Sequence, residues 1–235
     1  MALEPNLQYS FLYFRLLSSP SILPRNMLLP HLPFLNSLKI LLASASPRRS
    51  SLLQLLGVQF TVGVSDYPEN QDWRSFSSPV EYVQSNALMK LNFAQGKFAD
   101  CDLIIAADTI VEAEGQVYEK PVDAEDAKRM MRVFSGAKHQ VHTAVLVWVK
   151  TATGSLLKRC TVTTDVHFEE LDESMLQAYA ETREWEGKAG GYGIQLGAGA
   201  MMIRRIEGCY YNIMGFPMHA VAKLLREVAL EVART

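Results

Sequence analysis

Two serines and two arginines lie together in residues 44–49, between a short apolar run and a leucine-rich stretch. Ser46, Pro47 and Gly57 have the residue types of an N-cap, a first helical position and a C-terminal stop, so a strand, a loop and a helix are predicted. Free N–H groups at a helix N-terminus, with guanidinium groups beside them, suit phosphate oxygens. The same residues also fit an ordinary capped helix with solvated arginines, and spacing alone leaves both interpretations open.

Two carboxylates are candidates for acid–base or metal chemistry. Asp108 follows the apolar run 103–107, which predicts a buried strand with Asp108 at or near its end. A carboxylate at such a sheet edge can hold Mg²⁺ or activate water, but it can equally cap a turn. Glu69, in the acidic stretch 66–72, is a possible second carboxylate or a solvated loop charge.

Two lysines are candidates for binding an anion. Ser78 to Glu81 has the pattern of a capping box, and Lys90 falls on the same stripe of the following helix as Val83 and Ala87. A lysine on a buried stripe needs a nearby anion, unless its ammonium group reaches solvent or forms a salt bridge. Lys120, which precedes a proline, carries the same alternatives.

Several standard catalytic signatures are absent from the chain. The sequence has no GxxxxGK[ST], GxSxG or HExxH motif, and the glycines of residues 187–199 miss the dinucleotide-binding spacing. His139 and His142 begin a predicted strand and point to opposite faces, which argues against a shared metal site. P-loop kinases, serine hydrolases and zincins are therefore excluded.

The remaining pattern mixes strands with helices. Residues 141–149 and 160–168 predict a hairpin that turns around Thr153-Gly154, and residues 201–213 predict another pair of strands. Helices are predicted after Asp123, Asp172 and Pro217. Hairpin and crossover connections together indicate an α/β or α+β fold, and we expect an α/β fold with a mixed, twisted sheet flanked by helices.

Composition narrows the class of protein further. The chain has 235 residues, 49% of them apolar, and a net charge of −2, which indicates a globular protein and argues against a polymeric nucleic-acid partner. The apolar runs are far shorter than the roughly 18 residues that cross a bilayer, so no membrane role is expected. Three scattered cysteines favour a reducing compartment, and we expect a cytoplasmic protein.

Residues 1–38 differ from the rest of the chain. They contain five prolines and only three charged residues, Glu4, Arg15 and Arg25. We expect an N-terminal extension that is disordered or serves organelle targeting, because the segment lacks the continuous apolar core of a secretory signal. Residues 39–235 are then a single domain.

Five blocks of sequence occur in an order that resembles one family, the Maf nucleoside triphosphate pyrophosphatases. They are Ser44-Ala-Ser-Pro-Arg-Arg, Ala107-Asp-Thr-Ile-Val, Glu119-Lys-Pro, Phe134-Ser-Gly-x-x-His139-x-Val and Lys188-Ala-Gly-Gly-Tyr-Gly-Ile-Gln195. The resemblance implies a Maf/inosine-triphosphatase-like α/β fold. It also implies hydrolysis of a nucleoside triphosphate between the α and β phosphates, with Mg²⁺ or Mn²⁺ as cofactor and a homodimer as the assembly.

The resemblance also implies roles for individual residues. Asp108 corresponds to the proton acceptor, Glu69 and Asp108 to the metal ligands, and the substrate-binding group is Ser44, Arg48, Lys90 and Lys120. The branch that this chain resembles carries Arg, Thr and Gln at three selectivity positions and prefers dTTP and UTP; these positions are Arg48, Thr109 and Gln195. A glutamine amide can pair with a pyrimidine edge, which gives the preference a physical basis.

Two other functions fit the same resemblance. A sister branch of the family acts on 7-methyl-GTP, and a non-catalytic regulator of cell division would keep the pocket only to bind a nucleotide. Two positions of the chain also depart from the family pattern. Gly187 stands where an aspartate is usual, and Asn86 lies in a helix that is usually more apolar.

Overall fold

A mixed sheet of seven strands runs through the part of the chain, residues 27–234, that a computed structural model describes. The strands are β1 Ile40–Ala43, β2 Thr61–Val62, β3 Leu103–Ala113, β4 Gln116–Tyr118, β5 Lys138–Thr151, β6 Gly154–Phe168 and β7 Ile203–Glu207. Their order is β2-β1-β3-β5-β6-β7, with β4 paired to β3. Strand β1 is parallel to β2 and β3, and the other pairings are antiparallel. The predicted mixed sheet is confirmed.

Helices cover both faces of this sheet. In residues 27–234 they are α1 Leu32–Leu35, α2 Pro47–Leu55, α3 Pro79–Lys97, α4 Ala124–Phe134, α5 Glu173–Thr182, α6 Gly197–Met202, α7 Tyr210–Ile213 and α8 Met218–Val232, with short 3₁₀ turns at Leu29–His31, Trp73–Ser75 and Ala189–Gly191. Asp123 and Asp172 accept hydrogen bonds from backbone N–H groups at the starts of α4 and α5, as their sequence positions predict. None of these helices is long and apolar enough to cross a membrane.

The sheet separates the apolar core into layers. Helices α2 and α8 pack on one face of β1, β3 and β5, while α3 packs on the other. A third cluster lies under α4 and α5, where β3, β5 and β6 extend beyond β1. Ser78 accepts a hydrogen bond from the N–H of Glu81 and begins α3 as predicted, which turns Val83, Ala87 and Lys90 toward the sheet.

The long hairpin is confirmed, but the second predicted strand pair is wrong. Thr151 pairs with Gly154, so β5 and β6 are joined by a two-residue turn. Within residues 201–213 only β7 is a strand, and it lies between α6 and α7. The buried Asn212 amide donates to the Val141 carbonyl and to the Thr164 hydroxyl. These bonds hold residues 210–213 as a helical turn against β5 and β6.

The predicted start of the folded domain also needs correction. Residues 28–38 pack against the core, and Leu35 is completely buried there. Prolines 30 and 33 do not prevent this, because each occupies an early position of a helical turn, where its missing N–H is not needed. The Asn36 side chain binds the Gly57 carbonyl and the Gln59 N–H. The predicted boundary after residue 38 is therefore too late, and residues 1–26, with the targeting prediction, lie outside the described part.

Leu35 provides a test of this corrected boundary. We expect Leu35→Ala to lower the free energy of unfolding by about 2–5 kcal/mol, because it opens a cavity in the core. Leu29→Ala is the matched control, since Leu29 is 60% exposed, and its effect should stay within about 0.5 kcal/mol. Denaturant unfolding measures both changes. Equal, small effects would show that residues 28–38 do not belong to the cooperative fold.

Candidate active site

One cavity of about 370 Å³ brings the predicted site residues together. This volume lies within the usual range of small-molecule sites. The cavity lies at the carboxyl end of β1, between the N-terminus of α2, the loop before α3 and the glycine-rich residues 187–199. The predicted residues that line it are Ser44, Arg48, Glu69, Lys90, Asp108, Thr109, Lys120 and Gln195.

Asp108 lies in the middle of β3 and not at its end, which corrects the prediction from the sequence. It still borders an opening because its parallel neighbour β1 stops at Ala43, which pairs with Ala106. Asp108 is two residues further along β3, so it lies past the end of β1 and has no neighbour from that strand. Its side chain faces α3. Only 7% of the residue is exposed, so its carboxylate is held in a largely dry environment.

A buried ammonium group lies between the two carboxylates. Lys90 Nζ is 2.6 Å from Asp108 Oδ1 and 3.2 Å from Glu69 Oε1. The side chains of Lys90 and Asp108 are each at most 10% exposed, whereas that of Glu69 is 42% exposed. Of the alternatives that the sequence left open for Lys90, the structure selects a salt bridge.

Lys120 completes this charged group at the mouth of the cavity. Its Nζ lies 3.8 Å from Glu69 Oε2, and 60% of its side chain is exposed. Lys120 therefore keeps most of its hydration and is free to bind an entering anion. Glu69 thus contacts both lysines, one buried and one at the surface.

Arg49 is a site residue that the sequence analysis did not single out. It donates from Nη1 to the Ser44 hydroxyl (3.1 Å), from Nη2 to the Thr109 hydroxyl (2.9 Å) and from Nε to the Gly215 carbonyl (2.9 Å). Burial lowers the pKa of Arg49, while the negative charges of Asp108 and Glu69 oppose that shift. In the sequence, the only indication of its importance is that it is adjacent to Arg48, and only Arg48 was assigned a role.

The two neighbouring arginines have different environments. Arg48 is half-buried, donates from Nη2 to the Gly187 carbonyl at 3.3 Å, and has a pKa lowered by burial. Arg49 has all three of its guanidinium nitrogens bonded to the protein, so it joins three segments of the pocket wall. Arg48 therefore retains more capacity for a ligand.

The N-terminus of α2 is open toward the cavity. Ser46 is the N-cap and Pro47 the first helical residue, as predicted, but the Ser46 side chain makes no capping hydrogen bond. Instead, the Ser44 hydroxyl accepts from the Ser46 N–H (3.2 Å) and from Arg49. With both acceptor positions of Ser44 used, its hydroxyl proton can be donated into the cavity.

Gln195 carries an amide oxygen that is buried and has no hydrogen-bond partner within residues 27–234. A buried acceptor of this kind costs about 1–3 kcal/mol unless a ligand satisfies it. Gly193 leaves room for this side chain, since a Cβ there would lie only 3.2 Å from Gln195 Nε2 and 3.0 Å from Lys188 Cε. Gln195 is therefore poised to bind a donor group.

The two histidines lie apart, as their strand spacing predicts. His139 Nε2 contacts the Tyr192 hydroxyl at 2.8 Å, and burial lowers the pKa of His139 to about 3. His142 lies between Glu112 and Thr163 on the opposite face. In the part of the chain that is described, no group of three His, Cys, Asp or Glu residues forms a metal site. The pair Glu69 and Asp108 remains, and Mg²⁺ typically needs only one or two carboxylates when phosphate oxygens complete its coordination.

Comparison with known proteins places the chain in a family. A family model described as Maf-like protein matches residues 39–228, which is most of the chain. The chain belongs to the Maf family. The resemblance drawn from five sequence blocks is confirmed, and all five blocks lie within the matched region.

Curated relatives of this Maf protein are similar over most of their length. A dTTP/UTP pyrophosphatase from Bacillus cereus (strain ATCC 10987 / NRS 248) is 38% identical over 197 residues, covering 84% of this chain and 93% of the relative. A dTTP/UTP pyrophosphatase from Clostridium botulinum (strain Alaska E43 / Type E3) is 39% identical over 191 residues, covering 81% and 99%. Among solved structures, the Staphylococcus aureus Ham1 protein matches with a TM-score of 0.36 and 15% identity, covering 55% of this chain and 71% of that one.

Proposed function

We propose that this Maf protein hydrolyses dTTP and UTP to the nucleoside monophosphate and pyrophosphate, as a housekeeping enzyme of the nucleotide pool. The observation that carries the proposal is the buried Lys90 between Glu69 and Asp108, in a cavity that also contains an uncapped helix N-terminus. Cations for a polyphosphate and carboxylates for water or metal thus line one site. The names of the two relatives support the choice of substrate.

The triphosphate is bound by groups on two sides of the cavity. The N–H groups at the start of α2 and the Ser44 hydroxyl donate to phosphate oxygens from one side. Arg48 and Lys120, both with capacity for a ligand, add positive charge. Lys90 is buried, so its charge acts in a low dielectric and stabilises the negative charge that develops on the leaving pyrophosphate.

Asp108 is the group that accepts the proton of the attacking water. Lys90 donates to its Oδ1 and Asn86 to its Oδ2, so the carboxylate is fixed in orientation while each oxygen keeps a further acceptor position. A base held within the cavity can remove a proton as the oxygen of water attacks phosphorus. Glu69 and Asp108 would hold Mg²⁺ or Mn²⁺, which when bound neutralises phosphate charge.

Base selectivity is assigned to Arg48, Thr109 and Gln195. The unpartnered Gln195 oxygen suits the N3–H group of uracil or thymine, and the amide nitrogen suits a neighbouring carbonyl. The Thr109 hydroxyl is hydrogen-bonded to Arg49 and, at 3.0 Å, to the Thr143 hydroxyl, so its side chain has a fixed position in the cavity wall.

Gln195→Leu tests this assignment. We expect kcat/KM for UTP to fall about 10- to 100-fold, because a leucine of similar volume cannot bond the base, while the phosphate groups keep their partners. Steady-state rates of pyrophosphate release measure the change. Gln177→Leu, on the exposed side of α5, is the matched control and should leave kcat/KM within twofold. An unchanged UTP rate in Gln195→Leu would contradict the role in base recognition.

A substrate panel tests the proposed function as a whole. Pyrophosphate release is measured with Mg²⁺ from dTTP, UTP, CTP, dATP, GTP and 7-methyl-GTP. We expect dTTP and UTP to give the highest kcat/KM. A preference for 7-methyl-GTP would assign the protein to the sister activity, and binding without release from any nucleotide would favour a non-catalytic regulator.

The assembly and location of the protein remain predictions. The homodimer rests on the family resemblance, and analytical ultracentrifugation of the full chain tests it. The cytoplasmic location rests on the three cysteines, which are free in the structure.

A further inference from the structure

Asn86 is a buried polar residue on the inner face of α3, next to the proposed base. Only 2% of it is exposed. Its Nδ2 donates to Asp108 Oδ2 at 3.2 Å, and its Oδ1 accepts from the Tyr67 hydroxyl at 3.4 Å. Neither Asn86 nor Tyr67 is among the residues that line the cavity. The pair therefore has a direct contact with Asp108 and a second contact with the loop that contains Tyr67.

That loop, residues 63–72, is called here the Glu69 loop, and its backbone is strained. Asp66 has a φ of +58° and Glu69 a φ of +43°, in the left-handed region that residues other than glycine rarely adopt. Such a conformation is unfavourable by itself and persists only where surrounding contacts hold it. The Glu69 carboxylate reaches Lys90 from this strained conformation.

Contacts with α3 hold the Glu69 loop in place. Lys97 forms an ion pair with Asp66, and Gln71 accepts from the Ser85 hydroxyl at 3.1 Å. Tyr67 is 92% buried and its ring packs against Phe93, with ring centroids 5.5 Å apart. The Glu69 loop thus reaches Asp108 by two routes through α3, the ion pair of Glu69 with Lys90 and the hydrogen bond of Tyr67 with Asn86.

We propose that Asn86 is a positioning residue that couples the Glu69 loop to Asp108. The inference rests on the proposed function, in which Asp108 is the base. Lys90 fixes one oxygen of the Asp108 carboxylate, and Asn86 fixes the other, so together they set the plane of the carboxylate. Tyr67 in turn holds the Asn86 amide in the orientation that donates to Asp108, because its hydroxyl donates to the amide oxygen.

The coupling has a kinetic signature. Removing it leaves the phosphate-binding and base-binding groups untouched, so substrate binding should change little. The base, however, loses part of its alignment, and misplacement by about 1 Å can cost about 10²-fold in rate. We therefore expect an effect on kcat with little effect on KM.

The experiment uses Asn86→Leu, Tyr67→Phe and the double variant in the full chain. We expect kcat for UTP to fall about tenfold or more in Asn86→Leu and less in Tyr67→Phe, with KM within threefold of the wild-type value. The double variant should be no slower than Asn86→Leu, because Tyr67 acts through Asn86. Calorimetric titration with α,β-methylene-UTP should give a dissociation constant within threefold of wild type. Ser85→Ala, which removes the neighbouring contact between loop and helix, is the control and should keep kcat within twofold.

Three outcomes would overturn the inference. If Asn86→Leu keeps kcat within twofold, or if the two single effects multiply in the double variant, Asn86 does not couple the loop to Asp108, while the proposed function stands. If the wild-type protein releases no pyrophosphate, the proposed function fails and the inference with it. Where Asn86→Leu does not fold, Tyr67→Phe decides alone, because it removes one oxygen and keeps the ring packing on Phe93.

Discussion

Asp108→Asn is expected to reduce kcat for pyrophosphate release from UTP by about 10² or more while the protein stays folded. An amide has the shape of a carboxylate but cannot take a proton from water. The buried Lys90 keeps Glu69 at 3.2 Å as a partner, so the variant does not leave a lone buried charge. Initial rates with saturating UTP and Mg²⁺, together with circular dichroism, measure the two parts of this prediction.

Asp100→Asn is the control for this experiment. The Asp100 side chain is 86% exposed and does not line the cavity, so its loss should change kcat less than twofold. If Asp108→Asn kept more than a tenth of the wild-type kcat, Asp108 would not be the base, and another group in the cavity would have to accept the proton.

Lys90→Met is expected to impair both stability and activity. It removes the cation between two carboxylates, one of which is buried, and breaking such a pair destabilises proteins by about 3–5 kcal/mol. Pyrophosphate release should fall by about 10² or more, because a buried charge that offsets the leaving group is lost. Denaturant unfolding and steady-state kinetics measure the two effects.

Two further variants separate these effects. Lys120→Met removes an exposed ammonium 3.8 Å from Glu69, so its cost in stability should stay below about 1 kcal/mol. Adding Asp108→Asn to Lys90→Met should restore part of the stability without restoring activity, since one unpaired carboxylate is then neutral. If Lys90→Met were as stable as Lys120→Met, the buried ion pair would not hold the site together.

The sequence indicated Lys90 for a sound physical reason. A lysine on an apolar helical stripe needs an anion, and the structure supplies Asp108 at 2.6 Å. The strand of Asp108 was also predictable from a buried apolar run. Its position within that strand was not, because the opening at Asp108 is produced by the end of β1, a neighbour in space that local patterning does not reveal.

Arg49 and Asn86 show why other parts of the site were missed. Arg49 is distinguished from Arg48 only by its partners, and two of those, Thr109 and Gly215, are 60 and 166 residues away along the chain. Asn86 stood out as a departure from the family pattern, but its significance depends on contacts with Asp108 and Tyr67. Residue type and spacing identify candidate groups, whereas their roles depend on long-range packing.

Long-range contacts also explain the errors in the predicted fold. Residues 1–38 have the composition of an extension, yet Leu35 is completely buried in the core cluster that also contains residues of α2 and α8. Residues 210–213 have the apolar and aromatic character of a strand, but a buried side chain, Asn212, fixes them as a helical turn. In both cases a tertiary contact outweighs the local preference.

The products formed from UTP show which phosphate bond the protein cleaves. The wild-type protein is incubated with UTP and Mg²⁺, and the products are separated and quantified. We expect UMP and pyrophosphate in equal amounts, with neither formed by Asp108→Asn at more than about a hundredth of the wild-type rate. UDP with orthophosphate, or no product from UTP or dTTP, would show that the protein is not a UTP pyrophosphatase.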